Sequence, residues 1–179
     1  MQVRYDPTAD RVLWQLRTPG GELFALWLTR RMLRQLWPHL TRLVALAGLA
    51  GAGQDAVLLP EARQMLADAA RSRSLAGADF ATPFNPTAVA LPLGPLPLLP
   101  VAIDLGPGRQ GQGLALAARE ADGRHIRLEL SADLATGLLR LLEQALAGSG
   151  WGILAPPADS ADPADPAEPP SPARPIVLN

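Results

Sequence analysis

Two stretches of this chain write one pattern of apolar and polar positions twice. In the first, Val12, Trp14 and Leu16 fall on every second position, Pro19-Gly20-Gly21 interrupts, and Phe24, Leu26 and Leu28 resume the period of two. That period puts each set on one face of a strand, and the glycines between them mark a hairpin turn. After Thr29 the period changes. Leu33, Leu36, Trp37, Leu40, Leu43, Val44 and Ala47 recur at helical spacing, behind a hydroxyl residue suited to cap the helix. The spacing predicts a helix to about Ala47, kinked or split at Pro38, where one backbone hydrogen bond is lost. In the second stretch Leu114 and Leu116 lead through Asp122-Gly123 to Ile126, Leu128 and Leu130, and Ser131 opens a helix to about Ala147. Asp-Gly between alternating runs is a strong hairpin signal. Asp133 stands in that helix's first turn, where the dipole favours an anion.

Aligning Gly21 with Gly123, an offset of 102 (123 − 21), brings the two stretches into register. Leu26, Leu28, Leu36 and Leu40 then coincide with Leu128, Leu130, Leu138 and Leu142. Each half gains one more strand upstream: residues 2–6 in the first, residues 99–105 in the second. Pro60 at a first helical turn predicts an extra helix from there to about Ser72. The fold class is therefore α+β, a tandem βββα duplication with a helix between the halves and a pseudo-two-fold relation. One domain spans residues 1–154, with halves at 1–48 and 99–154 and a connecting helix and proline-rich arm at 49–98. Residues 48–53 and 148–150 are glycine-rich helix stops.

Composition adds limits. The chain has 179 residues, no cysteine and a net charge of −1. About 150 residues can bury roughly two-thirds of their unfolded surface, enough for a core without disulfides. Without cysteine there is no thiol nucleophile or thiolate metal site, which suits a reducing compartment. Near-neutral charge supplies no global attraction to nucleic acid or acidic membranes. Every basic residue other than histidine is arginine, the mark of a GC-rich bacterial genome. The N-terminus has no apolar core of a secretory signal. The longest uncharged stretch, residues 80–103, holds six prolines and cannot span a bilayer as a regular helix. No membrane association is expected, and the chain reads as cytoplasmic. Residues 81–100, an apolar loop without charges, should lie extended on the surface or meet a partner. Residues 155–175 are almost entirely Pro, Ala, Asp and Glu, too poor in apolar surface to offset their ordering entropy, and are predicted to be a disordered tail. Ile176, Val177 and Leu178 end it on an apolar note.

Candidate chemistry is sparse. Residues 106–111 match the dinucleotide-binding glycine pattern, but a strand follows where that loop needs a helix N-terminus, so they read as a hairpin loop. His39 and His125 stand alone, without further ligands at metal-site spacing. Asp6, Asp10, Glu120 and Asp122 flank turns, and Thr29 and Ser131 are caps with no base at readable spacing. The sequence points to no enzyme and to no cofactor.

Two features stand out. Arg30, Arg31 and Arg34 oppose the dipole in the first turns of their helix, where the second repeat has Ala132 and Asp133. They answer an acidic partner, a phosphate or an intramolecular carboxylate. On the outer face of the first hairpin, Leu13, Leu23 and Trp27 are apolar where the second carries His125 and Glu129. A partner, or the proline-rich loop of the same chain, must cover them.

The stretch LFALWLTRRMLRQLW together with LRLLEQALAGSGWG resembles a set of uncharacterised proteobacterial proteins that share W-L-T-R-R before a helix; the resemblance implies no activity. Two sheet-then-helix units in tandem are similar in topology to Whirly and Pur-type single-strand nucleic-acid binders, which have four strands per unit. The expected function is a non-enzymatic binding or assembly module docking a protein partner or its own copy through Leu13, Leu23, Trp27, Arg30, Arg31 and Arg34. The alternative is a single-stranded DNA or RNA binder using Arg17, Arg30, Arg31, Arg34 and Trp27.

Overall fold

The computed structural model describes residues 1–50, 60–76, 79 and 82–154. The tail at residues 155–179 and the second half of the glycine-rich stop, residues 51–53, lie outside the described residues. Three strands open the chain, β1 (Gln2–Asp6), β2 (Arg11–Arg17) and β3 (Leu23–Thr29), followed by α1 (Arg30–Ala50) and α2 (Pro60–Ala76). Then come β4 (Ala102–Pro107), a 3-10 turn at Arg109–Gly111, β5 (Leu114–Arg119), β6 (His125–Leu130) and α3 (Ala132–Ser149). The strands form two antiparallel sheets, ordered β1-β2-β3 and β4-β5-β6.

The duplication is written into the ladders. Val3 faces Trp14 and Val12 faces Leu28 in the first sheet; Leu105 faces Leu116 and Leu114 faces Leu130 in the second. Each second-sheet pair is its first-sheet counterpart displaced by the 102 residues of the sequence alignment. Register in a half-buried sheet follows the apolar alternation, because a one-residue slip would turn every core side chain outward. Two sheets with the same alternation and equal strand spacing therefore pair alike.

The helices are exchanged between the halves. α3 packs mainly on β1, and α1 packs more on β4 than on its own β3. One core results, containing Val12, Trp14, Leu26, Leu33 and Leu40 from the first half and Leu114, Ile126, Leu138 and Leu142 from the second. α2 lies against both other helices, tied to α3 by the Arg71–Glu143 pair at 2.5 Å and by the Ser74 hydroxyl donating to Asp133. Thr29 Oγ1 accepts from the Met32 N–H, and Ser131 Oγ from the Leu134 N–H, so both caps are made. α1 is not split at Pro38: it continues to Ala50, with the Thr41 hydroxyl donating to the Trp37 and Pro38 carbonyls.

The second-half strand begins at Ala102, not Leu99, because the segment before it is engaged elsewhere. The proline-rich arm runs parallel along the free edge of β3. The Leu23 N–H donates to Ala90 O and the Trp27 N–H to Leu98 O, while the Leu98 N–H donates to Ala25 O. Immediately afterwards the Val101 N–H donates to Arg119 O of β5, so one continuous segment joins the two sheets. Gly21 permits the arm's approach, since it has φ +84° and a Cβ there would lie 2.8 Å from Val89. Gly113 is equally constrained: φ is +76° and a Cβ would meet Leu130 O at 2.0 Å. The loop at residues 106–111 ends a strand and makes a 3-10 turn with no helix behind it, so it is a hairpin connection.

Candidate functional site

The residues singled out in the sequence do not form one exposed patch. Leu13 sits between Arg4 and Trp27 in the sheet register, and long side chains on both flanks shield it. It is 5% exposed, and Leu23 is 9% exposed. Trp27 is half-buried. The apolar face expected to meet a partner is thus closed by its own neighbours at Leu13 and Leu23, and the β3 edge beside it is paired with the arm. Both faces of a strand were filled with apolar residues because both are covered.

Arg30 serves within the chain. Its guanidinium donates to Trp151 O at 3.2 Å, holding the segment after α3. The Trp151 Nε1–H donates to the Asp10 carboxylate at 2.9 Å, the Tyr5 hydroxyl donates to the same oxygen at 2.8 Å, and the Tyr5 and Trp151 rings meet edge to face. The Tyr5 hydrogen bond above all, then that of Trp151 and the nearby Arg30 charge, holds the Asp10 carboxyl below its ordinary range. The same bond to Asp10 pushes the Tyr5 hydroxyl up. Of the three readings for the arginines, the intramolecular one fits Arg30 best, its bond going to the Trp151 carbonyl and its charge acting on Asp10 without a direct contact. Arg31 and Arg34 are exposed on α1.

A second arginine organises the arm. Arg124 donates to the Leu93 and Leu96 carbonyls at 2.8 and 3.1 Å and pairs with Glu120 at 2.5 Å. Glu120 in turn accepts from the Leu99 N–H. The backbone N–H of Arg124 donates to Asp122 and lowers that carboxyl's pKa. These bonds fix a loop whose Val89, Leu91 and Leu96 side chains are exposed.

The feature not foreseen is a groove of about 690 Å³ between α1 and β4. Its helical wall is Gln35, Leu36, His39, Arg42, Leu43 and Leu46, and its other wall is β4 from Ile103 to Pro107. β4 is the outer strand of its sheet. The Gly108 N–H donates to Gly113 O across the hairpin, which turns the backbone groups of even-numbered β4 residues toward β5. Alternation then turns the N–H and C=O groups of Ile103 and Leu105 outward, toward the groove. Pro107, with no N–H, ends the available edge.

The equivalent place in the other half, between α3 and β1, is filled. There α3 has Gly137, Ala145 and Gly148 where α1 has Gln35, Leu43 and Leu46. A Cβ at Gly137 would lie 3.8 Å from the Met1 side chain, and Gly137, Leu138 and Ala145 are buried. On α1, Leu36 and Leu43 are half-buried and Leu46 is 50% exposed. Bulk on one helix and its lack on the other make the difference, and that contrast was readable by comparing the repeats.

A polar cleft of about 350 Å³ among the three helices also exists. Of its polar groups, Arg71 pairs with Glu143 and the Gln64 amide donates to the Asp68 carboxylate. His39 borders the apolar groove, and His125 is exposed on β6, Nδ1 at 3.1 Å from Gly123 O. Among the described residues no group of three or more His, Cys, Asp or Glu side chains could hold a metal ion, and no helix is long and apolar enough to cross a membrane. No protein-family model, curated protein or solved structure matches this chain.

Proposed function

We propose that this chain is a non-enzymatic, cytoplasmic binding module that takes up an extended segment of a protein partner in the groove between α1 and β4. The observation that carries the reading is the asymmetry of the duplication. The same fold closes the α3–β1 side with small residues, yet on the α1–β4 side leaves Leu36, Leu43 and Leu46 beside a strand edge that no described strand pairs. An added strand gains main-chain hydrogen bonds from such an edge, and alternate side chains gain specificity from an apolar wall. The short edge, closed by Pro107, suits a segment of a few residues. The docking role expected of Leu13 and Leu23 passes to this groove, with the arginine-rich outer face of α1 as its basic border.

The test is selection from a library of extended peptides, followed by mapping of bound peptides on the amide resonances of Ile103 and Leu105. Selected peptides should shift those resonances and lose binding to a Leu43→Arg variant with an unchanged circular dichroism spectrum. Peptides that map elsewhere, or none selected, would sink the reading. Single-stranded DNA at low salt serves as the control ligand. Binding that falls steeply with salt would favour the nucleic-acid alternative through the α1 arginines.

A further inference from the structure

We infer that the α1–β4 groove takes the β4 strand of a second copy of this chain, the two strands pairing antiparallel across a two-fold axis at Asp104. The inference rests on the binding reading above and names the extended segment that the groove receives.

The first observation is the symmetry of the edge. A two-fold interface needs a surface that is complementary to itself. The outward groups of β4 are those of Ile103 and Leu105, one residue to either side of Asp104. Antiparallel pairing about Asp104 sets Ile103 opposite Leu105 of the second copy, and the two exchange both backbone hydrogen bonds. The edge also ends symmetrically. Three residues before Asp104, the Val101 N–H is already given to Arg119 O. Three residues after it, Pro107 has no N–H. Those two positions face each other in the pair, so the ladder stops where neither strand has a donor left.

The second observation is the side chains. On the core face Ile103 meets Leu105 of the other copy, an apolar cross-strand pair. On the opposite face Ala102 meets Gly106, and nothing bulky stands in the way. Other outer strands carry more polar side chains there: His125, Arg127 and Glu129 on β6, and Gln2, Arg4 and Asp6 on β1. Charges on an edge discourage strand addition, and β4 has Asp104 alone. Asp104 meets its own copy at the axis, which is the one unfavourable pairing. Arg127 stands in the same cross-strand row with only Ala117 between them, so each copy brings a cation that offsets the two carboxylates.

The third observation is the helical wall. The axis runs through the sheet, so both copies place α1 on the same side of it. The half-buried Leu36 and Leu43 and the exposed Leu46 of two helices then leave water together. A short ladder with one leucine stripe from each copy is a small interface, and the dimer is a reversible one.

The test exploits a chain without cysteine, in which each introduced thiol reports one position. Facing residues of a non-hydrogen-bonded pair lie about 4.5 Å apart at Cα, within disulfide reach. Asp104→Cys should therefore cross-link to its own copy on mild oxidation of the full chain. Ala102→Cys and Gly106→Cys should cross-link when mixed, and far less when either is alone, since each then lies roughly 14 Å from its own copy. A Cβ at Gly106 meets nothing within 4 Å, so that variant folds without strain. Sedimentation should show a monomer–dimer equilibrium that Leu43→Arg weakens about tenfold. Asp104→Asn should tighten it about twofold to fivefold, because like charges no longer face each other. A chain that stays monomeric at every concentration overturns the inference. So does a dimer in which the single variants at 102 and 106 cross-link as readily as their mixture. An extended peptide that shifts the Ile103 and Leu105 resonances should dissociate the dimer; a dimer that persists with that peptide bound overturns the inference and leaves the binding reading standing. The binding reading fails by a different result, a monomeric chain whose open groove accepts no extended peptide of any sequence.

Discussion

The indole N–H of Trp151 donates to the carboxylate of Asp10 across 2.9 Å, linking the end of the second repeat to the first hairpin of the chain. Tyr5 donates to the same carboxylate, and Arg30 holds the Trp151 carbonyl. The latch contains two titratable groups moved in opposite directions. Asp10 lies below its ordinary value of 3.8, so its contribution is complete above that value and is lost as pH falls through the folded-state pKa. Tyr5 lies above 10.0, so its contribution is complete below that value and is lost as pH rises through the folded-state pKa. Asp10 is exposed and Tyr5 is half-buried at the edge of the core, so the effect is local. The Trp151 Nε1–H resonance should keep its hydrogen-bonded shift across neutral pH and lose it at both extremes. Asp10→Asn should remove the acid limb and shift the alkaline one to lower pH, because the hydrogen bond to the Asp10 carboxylate is the main cause that holds the Tyr5 hydroxyl up.

Equivalent positions in the repeats should respond unequally to truncation. Leu138 is 2% exposed at the centre of the core, while its counterpart Leu36 is half-buried beside the groove. Leu138→Ala should cost about 2–5 kcal/mol, the range for a buried leucine with its cavity. Leu36→Ala should cost about 1 kcal/mol or less, because little apolar area is lost from a wall already facing solvent. Urea denaturation of both variants decides it. A similar large loss at both sites would mean that the groove closes in solution.

Much of this architecture was legible because alternation and register are the same information. Val12, Trp14, Leu16 and Phe24, Leu26, Leu28 specified a pairing face, and the ladder Val12–Leu28, Trp14–Leu26, Leu16–Phe24 follows from it. The exchange of helices was not legible. Leu33 and Leu36 say that α1 has an apolar face, but nothing local says which sheet receives it. The patch at Leu13, Leu23 and Trp27 left its cover open, a partner or the proline-rich arm, for a related reason. Alternation broken by apolar residues on both faces means that both are covered, and covering by cross-strand neighbours leaves no trace in spacing. Arg30 was noticed as an unfavourable charge at a helix start, yet its partners lie at Trp151 and Asp10, distant in sequence. The groove was visible only as a difference between repeats, Leu43 against Ala145 and Leu46 against Gly148.

Arg124 should be the fastening of the proline-rich arm. It satisfies two arm carbonyls and two carboxylates, and it is about a third exposed. Hydrogen bonds to a charged group contribute roughly 1.5–3 kcal/mol when they are lost, toward the lower end here because water reaches the site. Arg124→Ala should lower the melting temperature by several degrees and speed amide exchange at Leu98 and Trp27, whose N–H groups bind across the arm. Arg124→Lys should not restore it, since a point charge cannot span the two carbonyls and Glu120 with the geometry of a guanidinium. Unchanged exchange at Leu98 would show that the β3 pairing holds the arm without help.

The last prediction concerns the sheet face of the first repeat. Leu23 is 9% exposed and donates its N–H to Ala90, and Trp27 is half-buried, donates its N–H to Leu98 and stands opposite Leu13. An arginine at position 23 would bury part of a charge with no acidic partner in place, and Trp27→Glu would uncover Leu13 and set a carboxylate beside it. Burying an uncompensated charge costs several kcal/mol. The double variant Leu23→Arg plus Trp27→Glu should therefore unfold at lower urea and detach the arm. The same test separates the two surfaces, because Leu43→Arg in the groove should leave the urea midpoint nearly unchanged. Circular dichroism and sedimentation, run on both variants, read stability and association independently. A well-folded double variant with weakened self-association would return the docking role to Leu23 and Trp27 and take it from the groove.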